Sequence, residues 1–194
     1  PFRLNEYMTR TRFEDIMSAL KYTDKEPPST FVDCFHEVRQ MIDGFNDHYA
    51  LEYTPSWLSC INESMNIWLN KFSPGFMSLP HKPHPFGNEY HLIADGDKGR
   101  CIMWRVRLVE GKDRPKLSNG QVAFPSKWEW KGYDKTVELL LDMTEPIHHM
   151  GKIVTGDSGL CVMTGVTALH AHGVFGQFLI KKRRYWPVKV PGDQ

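Results

Sequence analysis

The sequence predicts a mixed α/β domain in which helices cover a central sheet, with a small helical segment in front of it. Two short runs with apolar residues at helical spacing open the chain. Short apolar runs follow from residue 56, and later ones alternate with helical patterns. Such an order suits a central sheet that is covered by helices. At 194 residues, the chain is also long enough to bury a core of its own.

Residues 1–55 are predicted to form two amphipathic helices, each burying its apolar stripe. Residues 11–14 have the form of a capping box, so we expect the first helix to begin there and to end near Tyr22. The prolines at 27–28 break the pattern, because proline cannot continue a helix. Ser29 or Thr30 is then the expected N-cap of the second helix.

Residues 56–194 are predicted to form the α/β domain. The expected elements are strands at 57–62, 87–94 and 101–109, a helix at 133–143, a strand at 152–155, a helix at 161–172 and a strand at 174–181. The second and third strands are joined by an Asp-Gly turn, which indicates a hairpin. Residues 73–85 are dense in turn residues and are expected to be a loop, and residues 111–132 a polar insertion.

Composition narrows the class of partner only slightly. Lys and Arg number 24 against 23 Asp and Glu, so the net charge does not indicate a polyanionic partner. No run approaches the roughly 18 apolar residues of a membrane span, so no membrane partner is expected. The four cysteines form no zinc-type pair, which favours reduced thiols in an intracellular protein. The pairs His148-His149 and His170-x-His172 have no third ligand nearby in sequence, so no structural metal is expected there.

Five segments, in order along the chain, resemble the piggyBac transposase family. They are Met8–Glu14, Ile61–Met65, Leu79–Gly87, Ile153–Ser158 and Phe178–Pro187. At these places the family has, in turn, a helix with Arg and Phe, an Asp-Glu pair ending the first strand, a Lys-Pro stretch, a second catalytic Asp and a basic strand that closes on a Pro. Five weak motifs in the right order, over nearly the whole chain, make the resemblance specific.

The resemblance implies an RNase H-like fold, whose strand order the predicted elements share. In that fold, acidic residues at strand ends converge on two metal ions. Residues 1–55 resemble the family's dimerisation and DNA-binding region, and residues 56–194 resemble part of its catalytic domain. The family's third catalytic Asp lies beyond the equivalent of Gln194, so we expect a domain truncated at its C-terminal side. The resemblance also implies a nuclear protein.

The catalytic positions depart from the family pattern. Asn62 stands at the position of the first catalytic Asp, and an amide is a neutral, weaker ligand for a hard divalent ion. Glu63 is adjacent, but neighbouring side chains on a strand point to opposite faces, so it is a weak substitute. Asp157 is the remnant of the second catalytic Asp and the remaining metal ligand, and it is equally suited to cap the helix that follows.

DNA contact is expected from local clusters of positive charge. The candidate residues are Lys181, Lys182, Arg183 and Arg184 in a basic-aromatic run, Lys82 in the Lys-Pro loop, and Arg10 and Arg12 on the first helix. Cations interleaved with aromatic residues can hold phosphates and unstacked bases, although such a run also occurs as a solvated edge.

The sequence therefore predicts a piggyBac-transposase-derived domain that is catalytically inactive and keeps residual, non-specific DNA binding. No cofactor is expected in that case. One alternative stays open in which a longer protein is an active transposase or nuclease that depends on Mg²⁺ or Mn²⁺. A second alternative is a domesticated protein-interaction module that has lost DNA binding. A homodimer also stays open.

Overall fold

Residues 4–67, 69–97, 101–125 and 127–180 are described by the structure, a computed structural model of the chain. The strands are β1 (Leu58–Ile67), β2 (Phe76–Ser78), β3 (Phe86–Asp95), β4 (Met103–Leu108), β5 (Ile153–Gly156) and β6 (Phe175–Phe178). The α-helices within these ranges are α1 (Arg10–Ala19), α2 (His36–Glu52), α3 (Lys135–Thr144) and α4 (Met163–Ala171). Among the described residues, no helix has the length and apolar character needed to cross a membrane.

The six strands form one mixed sheet with β1 near its centre. β3 pairs with β1 in the antiparallel sense over nearly the whole length of both strands. On its other side, β1 pairs in parallel with β5, and β6 lies parallel beyond β5. The outer edge of β3 is shared, because β2 pairs with residues 86–88 and β4 pairs with residues 90–94. The predicted class, a mixed sheet flanked by helices, is confirmed.

The core lies between one face of this sheet and the helices α3 and α4. Ile61 and Ile93 from neighbouring strands are fully buried against Leu140 of α3 and Leu169 of α4 in one apolar cluster. α3 is amphipathic and begins at an Asp134 N-cap, whose carboxylate accepts hydrogen bonds from the backbone amides at 136 and 137. Burial of this apolar face is the main favourable contribution to folding.

Helix α2 packs across the edge strand β4, and its polar side chain Asn46 pairs with the backbone of that strand. The Asn46 amide nitrogen donates to the Val106 carbonyl at 2.8 Å, and the Asn46 oxygen accepts from the Val106 amide at 2.9 Å. β3 pairs with β4 along the opposite edge, so Asn46 takes the place of a further strand. An edge strand otherwise presents unpaired backbone groups that can pair with another chain.

Both helix starts predicted in the N-terminal segment were wrong. The N-cap of α1 is Thr9, two residues before the predicted cap, and it accepts a hydrogen bond from the backbone amide of Arg12 at 3.2 Å. α2 begins at His36 and not after Ser29 or Thr30, because the Asp33 carboxylate accepts the amide hydrogen of residue 35 and holds a turn there.

The prediction that both helices bury an apolar stripe was also wrong for α1 and holds only in part for α2, whose apolar face is half-buried at Ile42, Phe45 and Tyr49. Within the described part of the chain, α1 has no buried residue, and Phe13, Met17 and Leu20 remain 39%, 46% and 45% exposed. α1 also ends at Ala19, before the predicted end near Tyr22. The amphipathic spacing of α1 therefore predicts the helix correctly but does not show that its apolar side is buried.

In the sheet, the predicted strands are found with changed bounds, and one strand was missed. β1 continues to Ile67, because β3 supplies a pairing partner over that whole length. β2 falls within residues 73–85, which were predicted as a loop; it pairs with the first residues of β3. The predicted Asp-Gly turn lies partly outside the described residues, which exclude 98–100.

We expect Asn46→Ala to lower the free energy of unfolding by about 1–2 kcal/mol, because two hydrogen bonds to β4 are lost together. Urea unfolding followed by circular dichroism measures the change. Asp47→Ala is the matched control, since Asp47 is the exposed neighbour on the same helix and should change stability by less than about 0.5 kcal/mol. Equal effects of the two substitutions would contradict the proposed role of Asn46.

Candidate functional site

Asn62 and Asp157 lie at the same level of two neighbouring parallel strands. Cys60 of β1 is the register partner of Thr155 of β5, and two residues further along each strand come Asn62 and Asp157. Asp157 directly follows the end of β5, whereas Asn62 is in the middle of β1 rather than at its end. Both residues are exposed. This is the carboxyl end of β5, a usual position for ligand sites in α/β sheets.

Glu63 lies on the opposite face of β1 from Asn62. Ile61 is fully buried in the core, and side chains alternate along a strand, so Asn62 faces away from that core and Glu63 returns to the face of Ile61. The Glu63 carboxylate accepts a hydrogen bond from the Lys82 ammonium group at 3.1 Å. Glu63 therefore serves as the partner of a lysine on the other side of the sheet.

The carboxylate of Asp157 is engaged in a local turn. Its Oδ1 atom accepts hydrogen bonds from the backbone amides of Gly159 at 2.8 Å and Leu160 at 3.4 Å. α4 begins only at Met163, so Asp157 closes the turn before the helix and is not its N-cap. The sequence suggested that Asp157 could cap the following helix. In the structure its carboxylate instead accepts backbone amides of a turn, as Asp side chains commonly do.

Lys82 connects the Lys-Pro loop to the sheet. The loop is closed by a backbone hydrogen bond from Leu79 to Pro85 at 2.7 Å, and the Lys82 amide donates to the Leu79 carbonyl at 3.0 Å. Burial and then the nearby Glu63 carboxylate raise the pKa of Glu89 on the next strand, while Lys82 opposes that rise. The charge of Lys82 is thus largely balanced within the protein.

The remaining predicted cations occupy different places. Arg10 pairs with Glu14 at 2.7 Å on the exposed side of α1, and Arg12 is exposed on the same helix. The basic run of Lys181, Lys182, Arg183 and Arg184 lies outside the described residues.

The donor atoms near Asn62 do not fit a pair of divalent ions. Two-ion sites place the metals about 3.5–4 Å apart, and hard cations such as Mg²⁺ take oxygen ligands, largely carboxylates and water. At the level of Asn62, β5 contributes one carboxylate, from Asp157, and β1 contributes a neutral amide. Within the described ranges, no three His, Cys, Asp or Glu side chains are grouped so that they could hold a metal ion.

The fold also assembles a histidine cluster that sequence reasoning missed. The rings of His148 and His172 lie 4.7 Å apart, and His149 lies 6.2 Å from His172 between ring centroids. The sequence separates these residues by the whole of β5 and α4, so no spacing motif links them.

Comparison with known proteins gives two matches. The profile of a transposase family, described as Transposase IS4, matches residues 2–194. A cryo-EM structure of a piggyBac transposase synaptic complex with hairpin DNA shares the fold, with a TM-score of 0.67 and 18% sequence identity. That match covers 95% of this chain and 36% of the piggyBac chain, so the present chain spans about a third of its length. No curated protein matches significantly.

We expect Asp157→Asn to leave the free energy of unfolding within about 0.5 kcal/mol of the wild type, because an amide oxygen can accept the same two hydrogen bonds. Asp157→Ala removes the acceptor and should cost about 1 kcal/mol. Urea unfolding of the three proteins measures the difference. If the alanine variant is as stable as the wild type, the turn forms without the side chain, and a structural role no longer explains Asp157.

Proposed function

The chain belongs to the Transposase IS4 family, and from that premise we propose that it is a piggyBac-transposase-derived domain that binds DNA without cutting it. The piggyBac resemblance drawn from five sequence segments is confirmed by the matching fold. The observation that carries the proposal is the amide of Asn62 at the level of Asp157, where a metal-dependent nuclease needs carboxylates.

We assign the sheet to the RNase H-like class because of its strand order. β3 is antiparallel to β1 on one side, and β5 and then β6 are parallel to β1 on the other. β4 adds a third antiparallel strand at the outer edge of β3, and β2 is an additional short strand beside it. This arrangement supports a nuclease-type scaffold whose functional end is where β1 and β5 carry Asn62 and Asp157.

Loss of cutting follows from the charge of this site. Two divalent ions held close together repel each other strongly, and anionic ligands must offset that repulsion. Asn62 contributes a neutral oxygen, and one oxygen of the Asp157 carboxylate already accepts hydrogen bonds from its own turn. Glu63 cannot replace the missing carboxylate, because it lies on the opposite face and is paired with Lys82.

DNA binding is the second half of the proposal, and the transposase family supports DNA as the partner. Lys82 and Arg10 are each paired with a carboxylate, so their net charge toward a polyanion is small. The basic run at residues 181–184 is then the main expected source of phosphate contacts. Nuclear localisation and a homodimer belong to the same proposal, as the family resemblance suggests.

The first test concerns metal binding. Wild-type protein should bind Mn²⁺ more weakly than micromolar, and Asn62→Asp should raise the affinity at least about tenfold, because it restores a second carboxylate. Asn66→Asp is the matched control, since Asn66 is exposed on the same face of β1 and should leave affinity unchanged. Isothermal titration calorimetry measures all three. Micromolar binding by the wild type would favour the alternative of an active metal-dependent enzyme.

The second test concerns DNA. Anisotropy of a labelled duplex over a range of salt should show weak binding that falls steeply with ionic strength. Replacing Lys181, Lys182, Arg183 and Arg184 together by Ala should flatten the slope of log affinity against log salt by about one unit per lost phosphate contact. The matched control replaces four exposed lysines elsewhere on the surface by Ala; they are Lys21, Lys25, Lys112 and Lys116.

Three outcomes distinguish the functional alternatives. If only the substitutions at 181–184 flatten the slope, the basic run is the DNA-binding segment. If both sets of substitutions act equally, binding is a diffuse property of surface charge. If the wild type shows no binding even at low salt, the protein-interaction module replaces the DNA-binding proposal.

A further inference from the structure

His148, His172 and Trp130 form an aromatic cluster where three segments of the chain meet. His148 follows the turn at the end of α3, His172 is the C-cap of α4, and Trp130 lies near the end of the insertion. The indole ring of Trp130 packs edge-on against both imidazoles, with centroids at 5.8 Å and 5.4 Å, and Trp130 is 5% exposed. The cluster therefore joins the insertion to the ends of both core helices.

Hydrogen bonds favour one neutral tautomer for each of the two imidazoles. Nδ1 of His172 lies 2.8 Å from the Ala168 carbonyl, which can only accept, so this nitrogen carries the proton. The Thr144 hydroxyl donates to the Leu140 carbonyl at 2.7 Å and is therefore an acceptor for Nε2 of His148 at 3.2 Å. Each neutral ring thus has one satisfied N–H group, and a second proton on His148 would introduce a positive charge into the cluster.

The surrounding charges disfavour that second proton. Burial is the largest cause that lowers the pKa of His148, to about 4, and His172, His149 and Arg105 lower it further. Glu145 is the carboxylate that opposes this effect. Arg105 lies 3.4 Å from Glu145, and Lys127 also pairs with Glu145, so the negative charge facing His148 is shared between two cations.

The cluster is coupled to the start of the two parallel strands β5 and β6. The His149 amide donates to the His172 carbonyl at 2.7 Å, and the Gly151 amide donates to the Gly173 carbonyl at 3.0 Å. The segments approach so closely at Gly173, where φ is +68°, that an added Cβ atom would lie 2.9 Å from Cα of His149. The backbone segments that carry the imidazoles are therefore in direct contact just before β5 and β6 begin.

We propose that this histidine–tryptophan cluster is an acid-sensitive clasp, which holds the ends of α3 and α4 together at neutral pH and opens when His148 is protonated. The folded protein favours neutral His148, so the stabilisation is complete above the ordinary histidine pKa of 6.5 and is lost as the pH falls toward about 4. The clasp does not depend on DNA binding or on metal binding near Asn62.

Hydrogen exchange of the His149 and Gly151 amides tests the clasp directly. After correction for intrinsic exchange, their protection in the wild type should fall about tenfold or more between pH 6.5 and pH 4. In His148→Gln, whose side-chain amide can still donate to Thr144 but cannot be protonated, protection should change much less. His84→Gln, at an exposed position in the Lys-Pro loop, is the matched control and should keep the wild-type loss.

Two results would overturn the proposal. One is a wild-type protein that keeps full protection of both amides at pH 4. The other is the same loss of protection in His148→Gln as in the wild type, which would assign acid sensitivity to other groups. A separate NMR titration of the wild-type imidazoles avoids reliance on a variant that folds poorly. His148 should titrate at least about one pH unit below an ordinary histidine, and a midpoint near 6.5 would also reject the clasp.

Discussion

The register between β1 and β3 depends on one buried carboxylate, Asp95. Asp95 is 4% exposed and accepts hydrogen bonds from the Tyr53 hydroxyl at 2.8 Å, the Ser56 amide at 2.7 Å and the Asp97 amide at 2.9 Å. Burial alone would raise the pKa of Asp95. The hydrogen bonds from Ser56, Asp97 and Tyr53 have the larger combined effect and lower this pKa to about 2. A slip by one residue would break these bonds and turn Ile61 out of the core, so Asp95 also fixes which face carries Asn62.

The buried Asp95 carboxylate joins the segment before β1 to the end of β3. All the groups that donate to Asp95 belong to the segment from the end of α2 to the start of β1, or to the end of β3 itself. Asn62 and Asp157 lie further along the two strands, where side chains are exposed and hydrogen bonds are few and local. The side-chain hydrogen bonds to Asp95 are therefore made by residues other than Asn62 and Asp157.

The local sequence pattern predicted α3. Asp134 caps α3 through amides two and three residues away, and the apolar periodicity of α3 matches a buried face. The start of α2 could not be predicted in this way, because Asp33 is held by Arg39, which also contacts Glu110 far along the chain. Asn62 and Asp157 were found through the family resemblance, but only the parallel register of β1 and β5 puts them at one level.

An amide at position 62 fits this fold without the charge repulsion that a second carboxylate beside Asp157 would introduce. Clustered catalytic carboxylates repel one another in the absence of metal, and functional sites often reduce stability for this reason. Asn62 is exposed, and its side-chain oxygen accepts a hydrogen bond from the backbone amide of Glu63 at 2.9 Å. This oxygen therefore has a hydrogen-bond donor within the protein. The domain can then keep its sheet, its strand register and its surface charges without a bound metal.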